Sequence, residues 1–543
     1  MTDGHVYVGL DLGTSGLKAI AITETGEVVG SGHAGYATRR PSPEAAEQDP
    51  RDWISAVDTA VGQLLSAVSA ERWRGLGLAG MIPTLVTTDR AGQPTGPVIT
   101  WEDARADHYG ERLRALSGPE RLYQLTGQWV DGRYLLPMYL RTATSEDAGT
   151  GDAVLMLGAK DYLFGWLTGE PATDPSTATG FGCFGLETGQ WLPEIVDIAQ
   201  QLSRSPLPLP GLPPVLASTT LRPLAPGASG QLGLPAGLPV CLGAADSVLG
   251  ALGLGVRKVG DVAYVAGSST VILGVSDRLV LDPQHRYLVT PLAGIEGWGL
   301  EMDLLSTGSA IAWLGSLLVA SRGAGAAAAA YAAAAVASAA AAAASASIME
   351  LAASVEPGDG PVLLPYLAPG EQGALWDSSL RGAILGVHLG HGARHLARSL
   401  VDGILLESRR CLAVFDETGL PSGEIRVTGG SGTDRAFRAQ LADATGRVVV
   451  TDGGRETRHS ALGAAALAAF AIDGVSLPSR NHAGMVFDRP DARRAALYTA
   501  LSLRHEQALA AVQAFSHAGA AGGGEGAGAA GGGFSAKGGQ DRR

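Results

Sequence analysis

Alternating apolar and polar positions along the first 35 residues predict a β-meander. Val6, Val8 and Leu10 share one face of an opening strand, and a mostly apolar run over residues 17–22 suits the return strand. Glycine and hydroxyl residues at 13–16 supply the turn between them. A second turn then leads into a third strand. The pattern therefore predicts three antiparallel strands joined by tight turns.

The spacing of apolar residues then changes from strand-like to helix-like. Residues 50–69 carry tryptophan, valine and leucine at helical spacing, so we predict a helix there. Residues 76–79 are short and apolar, which is typical of a buried strand. Residues 205–224 are rich in proline and lack periodicity, which indicates a loop or an approach to a domain boundary. Residues 239–246 read as a strand that ends in an acidic residue.

The opening pattern recurs about 250 residues downstream. Residues 261–273 again read as strand, small hydroxyl-rich turn and strand. A strand, a glycine-rich loop and a helix follow from residue 427, and such loops let a backbone approach a flat ring or a phosphate closely. Two similar hairpins indicate two domains of related design. We place them at 1–238 and 239–515, with a disordered Gly/Ala-rich tail at 516–543.

Composition narrows the class of protein. The chain has 543 residues, 46% of them hydrophobic and 17% charged, which excludes a disordered protein. A formal net charge of −13 argues against nucleic acid as the main partner, because phosphate backbones recruit an excess of Lys and Arg. Three scattered cysteines provide neither a disulfide framework nor a paired-cysteine zinc site, a usage that fits the cytoplasm.

One segment is long enough to be considered as a membrane span. Residues 324–347 contain 18 alanines in 24 positions. Alanine is the best helix former but a weak lipid anchor, so we predict an Ala-rich helix in water. The N-terminus has no basic region and no cleavage-site pattern. We therefore expect a soluble protein with no membrane partner.

The first turn carries the first candidate chemistry. Gly13, Thr14 and Ser15 offer backbone N–H groups and hydroxyls that suit phosphate oxygens. Asp11, before the turn, would hold Mg²⁺ directly or through water, and Lys18 would add positive charge. An ordinary hairpin with a polar turn would show the same residues, so this motif leaves both interpretations open.

The second hairpin and an acidic residue between the two favour phosphoryl transfer. Gly267, Ser268, Ser269 and Thr270 repeat the composition of the first turn. Phosphoryl transfer needs donors around the γ-phosphate and a carboxylate that orients the attacking hydroxyl. Asp246, at a strand end, is the candidate for that base. A helix N-cap would have the same local sequence.

Two further patterns are weaker candidates for a metal site and for a dinucleotide-binding motif. His388, His391 and His395 have the spacing of helix-borne metal ligands, but they lack a cysteine or acidic partner. We predict no metal site there. The glycines at 250–255 lack the compact βαβ frame of a dinucleotide-binding motif. We expect them to serve contact between helices.

A series of motifs follows one order along the chain up to about residue 475. They are Asp11-x-Gly-Thr-Ser15, Glu47-Gln-Asp-Pro50, Trp101-x-Asp103-x-Arg105, Lys160-Asp-Tyr162, Asp174, Gly243-x-x-Asp246, Leu364-Pro-Tyr-Leu367, Gly370-Glu371, Gly382-x-Ile-x-Gly-Val387, Gly429-Gly430 and Ala461-Leu-Gly-Ala464. The chain thereby resembles the FGGY family of carbohydrate kinases, and is most similar to its xylulokinase branch.

The resemblance implies a fold and an activity. The fold would be α/β, with two actin-like (ribonuclease H-like) domains around a central cleft, as in the sugar kinase/Hsp70/actin superfamily. The activity would be transfer of the γ-phosphate of ATP, with Mg²⁺, to a hydroxyl of a small sugar or polyol. The same resemblance leaves a homodimer open.

The resemblance also implies roles for particular residues. Asp246 matches the catalytic base, and Asp11 matches the metal-site aspartate. The expected ATP-binding set is Gly13, Thr14, Ser15, Lys18, Gly267, Ser268, Ser269, Thr270, Gly429, Gly430, Ser431 and Asp434. The expected substrate-binding set is Ile82, Pro83, Trp101, Asp103, Arg105 and Asp246.

Departures from the branch concern the sugar. Ile82 and Pro83 stand where xylulokinases carry a Met-His pair, and Gln372 replaces an arginine of the family. The phosphate motifs are intact. We therefore expect a working kinase with D-xylulose or a related ketose as first candidate acceptor. The alternatives are ribulose, a tetritol, glycerol or a hexulose as acceptor, or a non-catalytic sugar- or nucleotide-sensing protein.

Overall fold

The computed structural model describes residues 4–143, 152–203, 208–320, 346–368, 373–377, 379–454, 456–476 and 484–522. Most of the predicted Ala-rich helix at 324–347 lies outside these residues, as do Gly370, Glu371 and Gln372. The final helix continues to Gly522. This helix overlaps the first seven residues of the tail predicted at 516–543. The rest of the tail lies outside the described residues, and its disorder stays a prediction.

The elements alternate along the chain as in an α/β protein. The strands are β1 (Val6–Leu12), β2 (Gly16–Thr23), β3 (Val28–Gly35), β4 (Glu47–Gln48), β5 (Trp73–Gly80), β6 (Thr84–Thr88), β7 (Val98–Thr100), β8 (Leu155–Leu157), β9 (Phe184–Gly185), β10 (Gln190–Trp191), β11 (Leu221–Pro223), β12 (Pro239–Ala245), β13 (Val262–Ala266), β14 (Thr270–Ser276), β15 (Leu288–Pro291), β16 (Trp298–Leu304), β17 (Val362–Leu364), β18 (Ala383–Leu385), β19 (Ile425–Gly429), β20 (Val449–Thr451) and β21 (Val486–Asp488). The helices are α1 (Pro50–Ala67), α2 (Asp107–Ser117), α3 (Pro119–Thr126), α4 (Leu135–Ala143), α5 (Ala159–Thr168), α6 (Pro175–Ala178), α7 (Pro193–Ser203), α8 (Pro226–Leu232), α9 (Asp246–Gly253), α10 (Gly308–Ala320), α11 (Ala393–Glu417), α12 (Arg435–Thr445), α13 (His459–Asp473) and α14 (Ala492–Gly522).

The predicted meander opens the first large sheet. β1, β2 and β3 pair antiparallel, and β5 and β12 extend the sheet from β1 in parallel. The full order is β11-β12-β5-β1-β2-β3. Parallel strands need a crossover connection, and α1 lies in the connection between β3 and β5. Its buried face includes Trp53, Val57, Val61 and Leu64, as the helical spacing predicted.

The second large sheet repeats the first. β13, β14 and β16 pair antiparallel in turn, while β19 and β20 extend from β13 in parallel. Its order is β15-β16-β14-β13-β19-β20-β21. Apart from the added β15, each strand has a counterpart with the same direction in the first sheet. The prediction of two halves of related design is confirmed.

Helix α13 packs against the first sheet at very short range. A Cβ atom on Gly9 of β1 would lie 1.8 Å from the Ala461 carbonyl oxygen, and one on Gly77 of β5 would lie 2.1 Å from that of Ala464. Gly253 of α9 meets the His459 carbonyl in the same way, at 2.0 Å. The expected helix contact at residues 250–255 is therefore present. Small residues on both sides permit this spacing.

The described residues group into two compact units. One comprises 1–309, 372–375 and 407–496, and both large sheets belong to it. The other comprises 310–371, 376–406 and 497–543, and includes the β17–β18 hairpin. The predicted boundary at 238/239 falls between β11 and β12, which are neighbours in one sheet. The domain limits stay predictions.

Within the described part of the chain, every helix is too short or too polar to cross a bilayer.

Candidate active site

Asp11 lies near the end of β1, immediately before the first turn. In the antiparallel register it stands opposite Lys18 of β2, whose Nζ lies 3.9 Å from Asp11 Oδ2. Oδ1 of Asp11 is buried and has no hydrogen-bond partner among the described residues. Burial raises the pKa of this carboxyl, and the charge of Lys18 opposes that rise. Asp11 therefore has a carboxylate oxygen available to a cation or to a water bound to one.

Three side chains form hydrogen bonds with residues of the first turn. Tyr36 donates its hydroxyl hydrogen to the Gly13 carbonyl, and Gln48 Nε2 donates to the Thr14 carbonyl at 2.8 Å. Trp101 Nε1 donates to Thr14 Oγ1 at 3.0 Å. Trp101, expected on the sugar side, thus contacts the turn that is expected to bind phosphate. The roles of Tyr36 and Gln48 were missed, although Gln48 stood inside a recognised motif.

The second turn, at Gly267–Ser269, is fixed by the segment that begins α10. The backbone N–H groups of Thr307 and Ser309 donate to the Ser268 carbonyl at 3.1 and 3.0 Å. The hydroxyls of Thr270 and Thr307 share a hydrogen bond of 2.8 Å. Gly267 and Ser268 themselves are exposed. The turn therefore presents its backbone and hydroxyl groups outward from a constrained base.

The glycine-rich loop after β19 lies beside the second turn. Gly429 pairs with Ala266 in register, and a Cβ on Gly429 would lie 2.2 Å from the Ala266 carbonyl oxygen. Its φ of 90° also favours glycine. Gly430 and Ser431 begin a 3₁₀ turn, and Asp434 caps α12 by accepting from a backbone N–H of its first turn. Asp434 thus has a structural role here, while its contact with ATP stays a prediction.

Asp246 begins α9 directly after β12. Its Oδ1 accepts from the Ser247 N–H at 2.8 Å, and its carbonyl accepts from Ser460 Oγ at 2.9 Å. Ala245, not Asp246, occupies the N-cap position, so the alternative reading of Asp246 as a cap is wrong. Burial, followed by the charge of Asp11, raises the pKa of Asp246 to about 7. Asp246 can therefore exchange a proton near neutral pH.

A buried ion-pair network supports the strand before Asp246. Lys160 Nζ lies 2.9 Å from Asp161 and 3.1 Å from Asp174, and none of these side chains is more than 1% exposed. Asp174 accepts from the backbone and hydroxyl of Ser176, whose Oγ in turn accepts from the Ala245 N–H at 3.0 Å. The network thereby fixes the backbone that positions the carboxylate.

Two of the residues expected to bind sugar, Asp103 and Arg105, form an ion pair. Asp103 is 1% exposed and accepts from the Ala46 N–H at 2.9 Å. Arg105 donates to Asp103 at 2.9 Å and to Glu47 at 2.7 Å. In this arrangement both side chains hold adjacent loops together. Their contact with a sugar stays a prediction.

Ile82 and Pro83 follow β5, on the same side of the sheet edge as the first turn. The Met81 N–H donates to the Leu12 carbonyl, which ties this segment to the end of β1. Ile82 is partly buried against a core cluster that includes α9 residues, and the peptide bond to Pro83 is cis. The position of this pair near both Asp11 and α9 is compatible with the predicted substrate contact, which the structure does not test.

The histidine cluster lies at the start of α11. The rings of His388 and His391 are 3.7 Å apart, and those of His391 and His395 are 5.4 Å apart. Only His395 is helical, because α11 begins at Ala393. Over the described ranges, no three His, Cys, Asp or Glu side chains are arranged to hold a metal ion by themselves.

A pair of acidic residues near Asp246 was missed. Glu301 Oε2 accepts from Ser247 Oγ at 2.9 Å, and Asp303 lies two residues further along β16. Their alternation with the buried Met302 and Leu304 was visible in the sequence as strand periodicity. Their proximity to α9 was not, because it depends on how α9 packs on the sheet that contains β14 and β16.

Comparison with known proteins gives close matches along nearly the whole chain. The chain is 30% identical to the xylulose kinase of Klebsiella pneumoniae over 91% of this chain and 96% of that protein. It is 25% identical to the gluconokinase of Bacillus subtilis over 86% and 87%. The crystal structure of xylulose kinase from Rhodospirillum rubrum aligns with a TM-score of 0.79 at 27% identity, covering 94% of this chain and all of that one.

Family models agree with these matches. The model for the N-terminal domain of FGGY carbohydrate kinases covers residues 6–253, and the model for the C-terminal domain covers 262–472. The fold is the two-domain, actin-like α/β fold of the sugar kinases. Carbohydrate kinases of this family take phosphate from ATP and transfer it to an alcohol group, so the chain is a phosphotransferase of that class. The chain belongs to the FGGY family of carbohydrate kinases.

Proposed function

We propose that the enzyme phosphorylates a small sugar, with D-xylulose as the first candidate and Asp246 as the general base. The observation that carries the assignment is the state of Asp246, a carboxyl at the start of α9 whose pKa is raised to about 7. A general base is most effective when its pKa lies near the working pH. The charge of Asp11 contributes to this raised pKa, which places the two carboxyl groups within electrostatic reach of each other.

In the proposed reaction, Asp246 takes the proton of an acceptor hydroxyl while that oxygen attacks the γ-phosphorus of ATP. The new O–P bond forms as the bond breaks between the γ-phosphorus and the oxygen that bridges it to the β-phosphorus, and ADP leaves. The turns at Gly13–Ser15 and Gly267–Thr270 would supply N–H and hydroxyl donors to the phosphate oxygens. The contacts that hold each turn keep those donors in place without reorganisation during the reaction.

The residues present fit a magnesium ion that accompanies ATP. Asp11 Oδ1 is a buried carboxylate oxygen without a partner among the described residues. Mg²⁺ is commonly bound by one or two carboxylates together with phosphate oxygens, so Asp11 would hold it on the protein side. When bound, the ion supplies positive charge that offsets the negative charge on the phosphate oxygens.

The choice of acceptor rests on the relatives. The names of the matching proteins include xylulose kinases and gluconokinases, so both a ketose and a sugar acid must be tested. The branch assignment from sequence motifs favours D-xylulose. Ile82 and Pro83, in place of the Met-His pair, favour a related acceptor such as ribulose, a tetritol, glycerol or a hexulose.

A coupled ADP-release assay with Mg-ATP tests the proposal. The acceptors are D-xylulose, D-ribulose, a hexulose, glycerol, a tetritol and D-gluconate, each against a blank without acceptor. Strong turnover with D-xylulose supports the first candidate, and turnover only with another acceptor reassigns the substrate. ATP binding without stimulation by any acceptor would contradict the proposal and favour the sensing protein.

A further inference from the structure

Two carboxylates lie on one face of β16. Glu301 and Asp303 are two residues apart, so they project to the same side of the strand, whereas Met302 and Leu304 are buried on the other. In register they stand opposite Leu273 and Val271 of β14. Leu273 packs in the core cluster that contains the residues of α9. The two carboxylates therefore lie on the face that is covered by the helix carrying Asp246.

A hydrogen-bonded link joins this face to Asp246. Ser247 Oγ donates to Glu301 Oε2 at 2.9 Å, while the Ser247 N–H donates to Asp246 Oδ1 at 2.8 Å. Ser247 thus connects the carboxylates of Asp246 and Glu301. Glu301 and Asp303 are neither fully buried nor exposed. They line the surroundings of Asp246 without belonging to the core.

Asp246, Glu301 and Asp303 act on one another electrostatically. Burial raises the pKa of Glu301 and of Asp303, which favours their neutral forms. The charge of Asp303 raises the pKa of Glu301 further and contributes to the raised pKa of Asp246. Arg133 is the cation that acts on Asp303. That guanidinium already forms a two-pronged ion pair with Asp131.

Asp303 has an unused hydrogen-bonding capacity. Its Oδ1 is buried and accepts no hydrogen bond within the described part of the chain. A buried acceptor without a donor is unfavourable, so such an atom is suited to a donor brought by a ligand. Carboxylates only accept hydrogen bonds when ionised, and hydroxyl groups are the donors that a sugar carries in number.

We propose that Glu301 and Asp303 determine acceptor specificity. Both form hydrogen bonds with hydroxyls of the bound acceptor, Asp303 through its partnerless Oδ1. Together they select uncharged polyhydroxy compounds, ketoses or polyols, and discriminate against sugar acids. The inference rests on the proposed function and narrows its substrate class. A carboxylate on the acceptor would add a negative charge to surroundings in which burial already disfavours the ionised forms of Asp246, Glu301 and Asp303. At separations of several ångströms in a protein, one such repulsion lowers affinity about 100-fold.

The first test uses the unaltered enzyme. Values of kcat/KM are measured for neutral acceptors and for sugar acids of the same carbon number, with D-glucitol and D-gluconate as one pair that differs only at C1. We expect every productive acceptor to be neutral, with a preference of at least about 100-fold over its acid counterpart. Comparable or better turnover of the sugar acid would overturn the inference while leaving the kinase activity established.

The second test uses two variants that replace a carboxyl group by an amide of the same shape, Asp303→Asn and Glu301→Gln. We expect each to raise KM for the neutral acceptor about tenfold, with KM for ATP unchanged, and to narrow the gap to the sugar acid. Glu296→Gln, on an exposed residue just before β16, is the matched control. Unchanged acceptor KM in both variants, with melting curves like that of the parent, would overturn the inference.

The proposed function and this inference fail differently. If no acceptor stimulates ADP release, both are refuted. If sugar acids alone are phosphorylated, and Asp246→Asn abolishes that turnover, only the specificity assignment is refuted.

Discussion

Replacing Asp246 by asparagine is expected to change activity and stability in opposite directions. Asparagine keeps the size of the side chain and can still accept from the Ser247 N–H, but it cannot take a proton. If the carboxylate is held ionised for catalysis against an unfavourable environment, the variant loses turnover and gains stability. A residue with only a structural role would lose stability instead.

The loss of activity can be bounded. A positioned general base contributes about 10²- to 10⁴-fold to rate, so Asp246→Asn should retain less than about 1% of the parent kcat. ATP binding should change little. In the parent, kcat/KM should rise with pH and level off above about 7, because the base must be ionised and burial with the charge of Asp11 raises its pKa to that value.

The gain in stability has a defined pH range. The pKa of Asp246 is raised on folding from 3.8 to about 7, so the folded state retains a proton that the unfolded state has lost between those values. The free energy of unfolding of the parent therefore falls as pH rises through that range. It loses up to about 4 kcal/mol by pH 8. The variant lacks this loss, so its advantage should be near zero at pH 4 and largest at pH 8.

Two measurements check the predicted activity and stability of Asp246→Asn. Coupled ADP release gives kcat and KM, and denaturant unfolding at pH 4, 6 and 8 gives the free energy of unfolding. Asp58→Asn, on the exposed face of α1, is the matched control and should change neither. The reasoning is refuted if Asp246→Asn retains more than a tenth of parental turnover, or if its stability relative to the parent does not increase between pH 4 and pH 8.

Three further substitutions test how the site is supported. Lys160→Met leaves its two partner carboxylates buried without a cation and should cost about 3–5 kcal/mol in unfolding free energy; a cost under 1 kcal/mol would show that the network is dispensable. Gly9→Ala places a Cβ 1.8 Å from a carbonyl oxygen of α13, so it should abolish soluble folding or lower the melting temperature sharply. Gly62→Ala is the control: it has open space around it and should be neutral or slightly stabilising. Asp434→Ala removes the cap of α12 and should cost about 0.5–2 kcal/mol, with Asp434→Asn restoring most of it; equal losses in both variants would argue for a contact that needs the charge.

Local patterns were sufficient to predict the strands and turns that are expected to bind phosphate. The alternation around Val6 and Val8 predicted the meander, and the repeated small-residue turns predicted two halves of similar topology, which the sheet orders confirm. Strand period and turn chemistry depend on neighbours in sequence, so they can be read without the fold. The motif order then pointed to the family that the comparisons establish.

Side-chain roles were less predictable than backbone elements. Trp101 and Asp103 stand two residues apart in one motif and were both expected on the sugar side. In the structure, the Trp101 ring nitrogen donates to Thr14 of the first turn, and the Asp103 carboxylate is buried among loop contacts. Residue type and spacing do not specify which neighbour a side chain meets.

The sequence by itself predicted the opening strands, the two turns and Asp11 and Asp246 as the candidate reactive carboxylates. Only the tertiary structure decided what surrounds them: Trp101 meets Thr14 across 87 residues, Ala245 meets Ser176 across 69, and Ser247 meets Glu301 across 54. Local conformation follows from steric and hydrogen-bonding preferences of adjacent residues. Contacts between distant residues, and the burial that sets the pKa of Asp246, follow from how the elements pack, which no local pattern encodes.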